Sequence, residues 1–183
     1  MNIVTICGSL RKASYNRMLM QALPALAPAG MNLKEAPPFD EFPHYRAELH
    51  ADGNFPPLVV AFADAIRAAD GVIFVTPEYN YTIPGALKNA VDWVSRMKDQ
   101  PFKEKPVAIQ SASPGPLGGG RMQYHMRTML VFLNAFTFNT PEIFVGMVQS
   151  KFDDKGELKD EATKDFIKKQ LEAFEKFVQR VKA

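Results

Sequence analysis

Residues 2–16 read NIVTICGSLRKASYN, and the change of character at Gly8 decides the fold. Residues 2–7 form a short apolar run with β-branched members, the pattern of a buried strand. The stretch that follows, GSLRKASYN, holds a glycine, a pair of serines, an arginine, a lysine and an asparagine. It is too polar for a core and too dense in hydrogen-bond donors for an idle turn. Ser14 stands where a helix N-cap belongs. Behind it Leu19, Ala22, Leu23 and Leu26 recur on one helical face, with Pro24 expected to kink or shorten the helix.

The same order continues along the chain. MNLKEA (31–36) reads as a weaker strand at an edge, and residues 37–57, rich in proline and aromatics, as a long loop. Loops of that length in compact domains are often functional. Val59, Phe62, Ala63, Ile66 and Ala69 mark a second helix, and GVIFVT (71–76) is the clearest strand. Leu87, Ala90, Val91 and Val94 mark a third helix, followed by the strand PVAIQS (106–111). A fourth helix carries Met122, Met126, Met129, Leu130 and Leu133, its methionine stripe read as core or subunit interface. TFNTPEIFVG (137–146) holds a last strand interrupted by Pro141, and Ile167, Leu171, Phe174, Val178 and Val181 stripe the final helix. Continuous apolar strands alternating with amphipathic helices predict an α/β fold: a doubly wound parallel sheet with helices on both faces. Five strands favour the flavodoxin-like order 2-1-3-4-5. With no repeat and no linker, residues 1–183 are expected to form a single domain.

Composition narrows the function. A formal net charge of +2 argues against bulk nucleic-acid binding and differs from the acidic surface of a small electron carrier. The one cysteine, Cys7, lies inside the first strand, which rules out an intramolecular disulfide and a cysteine metal cluster. It reads as a small buried hydrophobe. His44, His50 and His125 form no recognised zinc spacing. No apolar stretch is long enough to span a bilayer, and no secretory leader pattern opens the chain. A cytoplasmic protein is expected.

In this fold ligands bind beyond the carboxyl ends of the strands, at the switch point. The loops after strands one, three and four are GSLRKASYN, PEYNYTIPG and SASPGPLGGGR, the least ordinary stretches of the chain. The first leads into a helix N-terminus, an anion site, to which Ser9, Ser14 and Asn16 add neutral donors and Arg11 a charged fork. A phosphate monoester fits there. The spacings of a nucleoside-triphosphate loop and of a dinucleotide loop are both missing. The second loop, stiffened by Pro77 and Pro84, sets Glu78, Tyr79, Asn80 and Tyr81 where backbone amides can meet the polar edge of a planar heterocycle. The third carries Gly115, Gly118, Gly119 and Gly120, which let a backbone approach a ligand closely.

Three motifs together carry a family resemblance. They are G-S-x-R-x-x-S-x-N at Gly8, Ser9, Arg11, Ser14 and Asn16, P-E-Y-N at Pro77 to Asn80, and I-P-G-x-L-K-N at Ile83 to Asn89. The glycine loop from Ser113 to Gly120 fits as well. The chain resembles the NADPH-dependent FMN reductases, the flavodoxin-like group that includes bacterial quinone and chromate reductases and azoreductases. The resemblance implies bound FMN, with NADPH or NADH as co-substrate. Its phosphate would sit on Ser9, Arg11, Ser14 and Asn16, with Tyr15 between them. Its ring would lie between the loop of Pro77, Glu78, Tyr79, Asn80 and Tyr81 and the loop of Ser113, Gly115, Gly118 and Gly119. SPGPLGGG carries an extra proline beside the family's simpler S-x-G-x-x-G-G loop. Homodimers or homotetramers, with the flavin close to a subunit interface, are implied too.

The expected activity is hydride transfer from NAD(P)H through FMN to a quinone, flavin, azo dye or metal oxyanion, by a ping-pong mechanism and without a catalytic side chain. Tyr81 and the 37–57 loop are candidates for the substrate pocket. Two alternatives stand beside this reading: a non-enzymatic flavodoxin-type electron carrier, and an FMN-binding redox sensor.

Overall fold

In the computed structural model, which describes residues 1–182, the chain runs β1 (Asn2–Cys7), α1 (Tyr15–Leu26), β2 (Asn32–Glu35), a short 3-10 turn (Ala47–His50), α2 (Pro57–Ala68), β3 (Gly71–Val75) and α3 (Gly85–Val94). It continues through β4 (Pro106–Ala112), α4 (Gly120–Phe132), β5 (Phe136–Thr137), β6 (Ile143–Val145), a second 3-10 turn (Val148–Ser150) and α5 (Glu161–Lys182). The sheet is parallel in the order β2-β1-β3-β4-β5, as the sequence predicts, with β6 also pairing β4.

Side chains alternate across the sheet because the strand period is two. Val4, Ile6, Val72, Phe74, Val107 and Ile109 pack in one core with α2, α3 and α4. Ile3, Cys7, Ile73, Val75 and Ala108 pack in the other with α1 and α5. Both faces are therefore dry, which is why β1, β3 and β4 read as continuous apolar runs. The helical stripes land as expected: Leu19 and Leu23, Phe62 and Ile66, Leu87 and Val94, Met122 and Met126, Leu171 and Phe174 are all fully buried. Met122 and Met126 are thus core. Pro24 lies inside α1, and the helix ends two residues later at Leu26. Its missing N–H falls in the last turn, where it removes one bond.

The strand expected at 137–146 forms two pieces around Pro141. β5 pairs with Pro106 and Val107, and β6 with Gln110 to Ala112. Side chains satisfy the carbonyls at the break from opposite faces of the sheet. Gln170 of α5 donates to the Pro141 carbonyl at 2.8 Å, and Gln123 of α4 donates to the Ile143 carbonyl at 2.8 Å. Each glutamine also meets a polar residue of β4: Gln110 donates to Gln170 at 2.8 Å, and Gln123 donates to Ser111 at 2.7 Å. All four residues are buried.

The long loop is held down rather than free. Trp93 and Asn89 of α3 both donate to the Pro43 carbonyl, at 2.7 and 3.0 Å. Asn89 also accepts the Tyr45 N–H at 2.8 Å. His50 stacks on Phe55 at 4.7 Å, and Tyr45 meets Trp93 edge-on at 5.1 Å. His44 is exposed, and the described residues contain no cluster able to hold a metal ion.

Two outcomes follow for stability. Gln170→Leu strands the Pro141 carbonyl and the Gln110 amide, and is expected to cost about 2 kcal/mol. A lower urea midpoint with an unchanged slope is the readout. Asp160, ahead of α5, accepts the Thr163 N–H at 2.9 Å and pairs with Lys151 at 2.9 Å. The Thr163 hydroxyl first, and Lys151 after it, hold its carboxyl down at about 2. The folded value lies below the unfolded one of about 3.9, so this stabilisation is present above about pH 4 and lost as pH falls toward 2. Asp160→Ala is expected to cost about 1 kcal/mol at neutral pH. The thermal-melting gap to the parent protein should close as pH falls through that window.

Candidate functional site

The carboxyl ends of β1, β3 and β4 are neighbours, with Cys7 opposite Val75 and Val75 opposite Gln110. The pairing runs past the strands: Gly8 N–H donates to the Val75 carbonyl at 2.9 Å and Thr76 N–H to the Gln110 carbonyl at 3.0 Å. The three loops therefore emerge side by side. Gly8 is demanded by this closeness, because a Cβ there would lie 1.9 Å from the Thr76 Oγ1.

In the first loop Ser14 is the N-cap of α1, its hydroxyl accepting the Arg17 N–H at 3.4 Å. The first intrahelical bond runs from the Met18 N–H to the Ser14 carbonyl. The N–H groups of Tyr15 and Asn16 lie ahead of that bond and have no acceptor within the helix. Ser9 is buried; its hydroxyl accepts the Arg11 N–H at 3.3 Å and lies 3.5 Å from the Tyr79 hydroxyl. Arg11 is exposed and folds back, donating to the Ala13 carbonyl. Arg17 pairs with Glu35 at 2.7 Å, which ties α1 to the end of β2 and raises the pKa of the guanidinium.

Asn16 differs from its expected place. Its amide donates to the Ala112 carbonyl and accepts the Ala112 N–H, both at 2.9 Å, with 3% of the residue exposed. The side chain is a staple between α1 and β4, and its backbone N–H, in the first turn of α1, has no helical acceptor.

The second loop is a miniature hairpin. Tyr79 and Thr82 exchange backbone hydrogen bonds of 3.0 Å, and the two residues between them, Asn80 and Tyr81, have φ of 49° and 70°. Two central residues with positive φ make a type I′ turn. Asparagine suits that region; tyrosine is strained there. Tyr81 is 63% exposed, and the Arg121 guanidinium lies 3.7 Å from its ring centroid. Glu78 turns inward and accepts hydrogen bonds from Arg121 and from the Met122 N–H at the start of α4. Thr82 contacts His125 of α4 at 3.1 Å.

The third loop is fastened to the segment after β6. Ser113 N–H donates to the Val145 carbonyl at 3.0 Å, and the Met147 N–H to the Gly115 carbonyl at 3.2 Å. Gly118 and Gly119 are buried with φ of 57° and 87°, and Gly119 caps α4. Residues 114–117, including the extra proline of the loop, are exposed.

The fold thus gathers all the expected residues at one edge: Ser9, Arg11, Ser14, Tyr15 and Asn16, then Pro77 to Tyr81, then Ser113, Gly115, Gly118 and Gly119. Sequence reasoning missed Arg121 and the backbone of Ala112. Arg121 follows a glycine run in the first turn of a helix, but no spacing signal pairs it with Glu78. Cys7 behaves as expected: it is buried, its thiol donates to the Ser9 carbonyl at 3.6 Å, and burial pushes its pKa up.

Comparison with known proteins identifies the family of the chain. Residues 1–150 match the family model for NADPH-dependent FMN reductase, and the chain belongs to that family. It is 50% identical to a quinone reductase of Escherichia coli K12 over 183 residues, 100% of this chain and 97% of that protein. It is 44% identical to an NAD(P)H-dependent FMN reductase of Pseudomonas aeruginosa over 180 residues, 98% of this chain and 96% of that one. Among solved structures, the NAD(P)H:(acceptor) oxidoreductase FerB of Paracoccus denitrificans superposes with a TM-score of 0.88 at 32% identity, covering 98% of this chain and 97% of that one.

Asn16→Ala removes both bonds to Ala112. It is expected to cost about 2 kcal/mol or more, since a buried backbone donor and acceptor lose their partners. Chemical denaturation reads the loss directly.

Proposed function

We propose that this chain is an FMN-dependent NAD(P)H oxidoreductase that reduces a small acceptor: a quinone, a flavin, an azo compound or a metal oxyanion. The observation that carries the reading is the first turn of α1. There the N–H groups of Tyr15 and Asn16 follow the Ser14 cap, and the loop that leads into it carries the Ser9 hydroxyl and the exposed Arg11. This donor set fits a phosphate monoester, because the helix terminus and the guanidinium both favour an anion. A monoester is what FMN presents, so the residues fit that cofactor.

When bound, FMN supplies the hydride-carrying chemistry. The protein's part is to bind and to orient. The first loop would hold the phosphate. The hairpin of residues 77–82 and the glycine loop of Ser113 to Gly119 would flank the ring and offer backbone groups to its polar edge. Tyr79 and Tyr81 stand at the rim, where an aromatic co-substrate or acceptor would stack. With NAD(P)H and the acceptor taking turns at this rim, the kinetics would be ping-pong. No side chain acts as nucleophile or obligatory base, and residues 1–183 serve as one unit.

We also propose that α3 and α4 form the interface of a homodimer. Val131 and Phe132, near the end of α4, are 76% and 77% exposed. Beside them runs a groove of about 750 Å³ between α3 and α4. It mixes apolar side chains, Val91 and Met129, with Lys88, Asp92 and Arg96. Such a face suits a two-fold contact with its own copy.

Titration of flavin-free protein is expected to show FMN binding at least about tenfold tighter than riboflavin, through charge-assisted bonds to the phosphate. Arg11→Ala should weaken FMN and leave riboflavin unchanged. Equal affinity for the two flavins would reduce the first loop to a helix cap. Phe132→Asp is expected to shift the mass seen by size exclusion with light scattering from dimer to monomer.

A further inference from the structure

Glu78 belongs to the loop assigned above to the flavin ring, yet its carboxylate points into the protein. Its side chain is 8% exposed, whereas Tyr79 next to it is 46% exposed. Glu78 Oε1 accepts from Arg121 Nε at 2.7 Å and Nη2 at 2.5 Å. Oε2 accepts the Met122 N–H at 3.2 Å. That N–H lies in the first turn of α4, where backbone donors have no helical acceptor and the dipole favours negative charge. The helices α1 and α4 both begin at this edge. Glu78 fills the start of α4 with a carboxylate of the protein itself, whereas the first turn of α1 carries no acidic residue. Arg121 completes the link by lying over Tyr81, so one guanidinium grips the hairpin at two points. The glycine loop is in reach as well, since a Cβ on Gly119 would lie 3.7 Å from the Glu78 nitrogen.

We propose that Glu78 is a positioning residue. It registers the backbone of the hairpin against the glycine loop and so sets where the flavin ring is held, without touching the phosphate. This rests on the FMN reading above. The ion pair is charge-assisted and shielded on the carboxylate side; Arg121 Nε and Nη2 converge on Oε1 while Oε2 takes the Met122 N–H, so the carboxylate is held from two directions.

The test uses flavin-free wild type, Glu78→Gln and Glu78→Ala, each titrated with FMN and with riboflavin. Glu78→Gln keeps an acceptor for the Met122 N–H and removes the ion pair; Glu78→Ala removes both. Both variants should bind both flavins more weakly, Glu78→Ala by about tenfold. The ratio of FMN to riboflavin affinity should stay that of wild type. The visible absorption band of the bound flavin should shift in both variants. Wild-type affinity with an unshifted band overturns the proposal, as does a lower melting temperature with unaltered flavin properties, the mark of a purely structural pair. A changed ratio overturns it too, by placing Glu78 at the phosphate end. If Glu78→Ala does not fold, the near-isosteric Glu78→Gln decides by the same criteria. Failure of wild type to bind FMN is a separate result, which removes the flavin reading and this proposal with it.

Discussion

Asn16 and Ala112 exchange two hydrogen bonds of 2.9 Å across the interior, and the arrangement of the edge depends on that exchange. Ala112 ends β4, and Asn16 sits in the first turn of α1, which follows β1. Since β3 lies between β1 and β4, the staple reaches over the middle strand. A bidentate amide fixes both distance and orientation, and in a dry environment neither of its bonds can be exchanged for water without cost. The free N–H groups at the start of α1 are aimed by this contact.

Around the staple the three loops are fixed by different means. The first is held by a close approach, Gly8 against Thr76, which leaves no room for a side chain. The second is a type I′ turn that accepts a strained tyrosine and is anchored by a buried carboxylate. The third is laced to the chain after β6, where a Cβ on Gly146 would strike the Pro116 carbonyl at 2.4 Å. Backbone held this way presents its polar groups at set positions before any ligand arrives, which reduces the ordering cost of binding.

Much of this was legible in the sequence, for identifiable reasons. Strands dry on both faces read as unbroken apolar runs, so β1, β3 and β4 stood out, and helix faces read as stripes. The loops stood out because polar, glycine-rich stretches interrupt such runs at one end of each strand. The direction of Asn16 was not legible: a polar residue in a helix's first turn can face a ligand or the sheet, and only the packing of β4 decides. Nor was the partner of Glu78, because Arg121 lies in the first turn of α4 and meets it only once the sheet has formed. Pro141 announced the break between β5 and β6. The glutamines that close it, Gln123 and Gln170, are ordinary helix formers whose burial depends on which turn faces the gap.

Cys7 sits directly beneath this edge, one residue before Gly8, with 5% of its surface exposed. Its thiol is bonded to the Ser9 carbonyl, and burial keeps it protonated. Quinones are electrophiles that arylate accessible thiolates. A protein that turns such compounds over at an open face is continually exposed to self-inactivation. Here the sole sulfhydryl is bonded to a carbonyl of the loop that would grip the phosphate, and its raised pKa keeps it out of the reactive thiolate form. The same burial keeps the thiol from cross-linking two copies of the chain through sulfur.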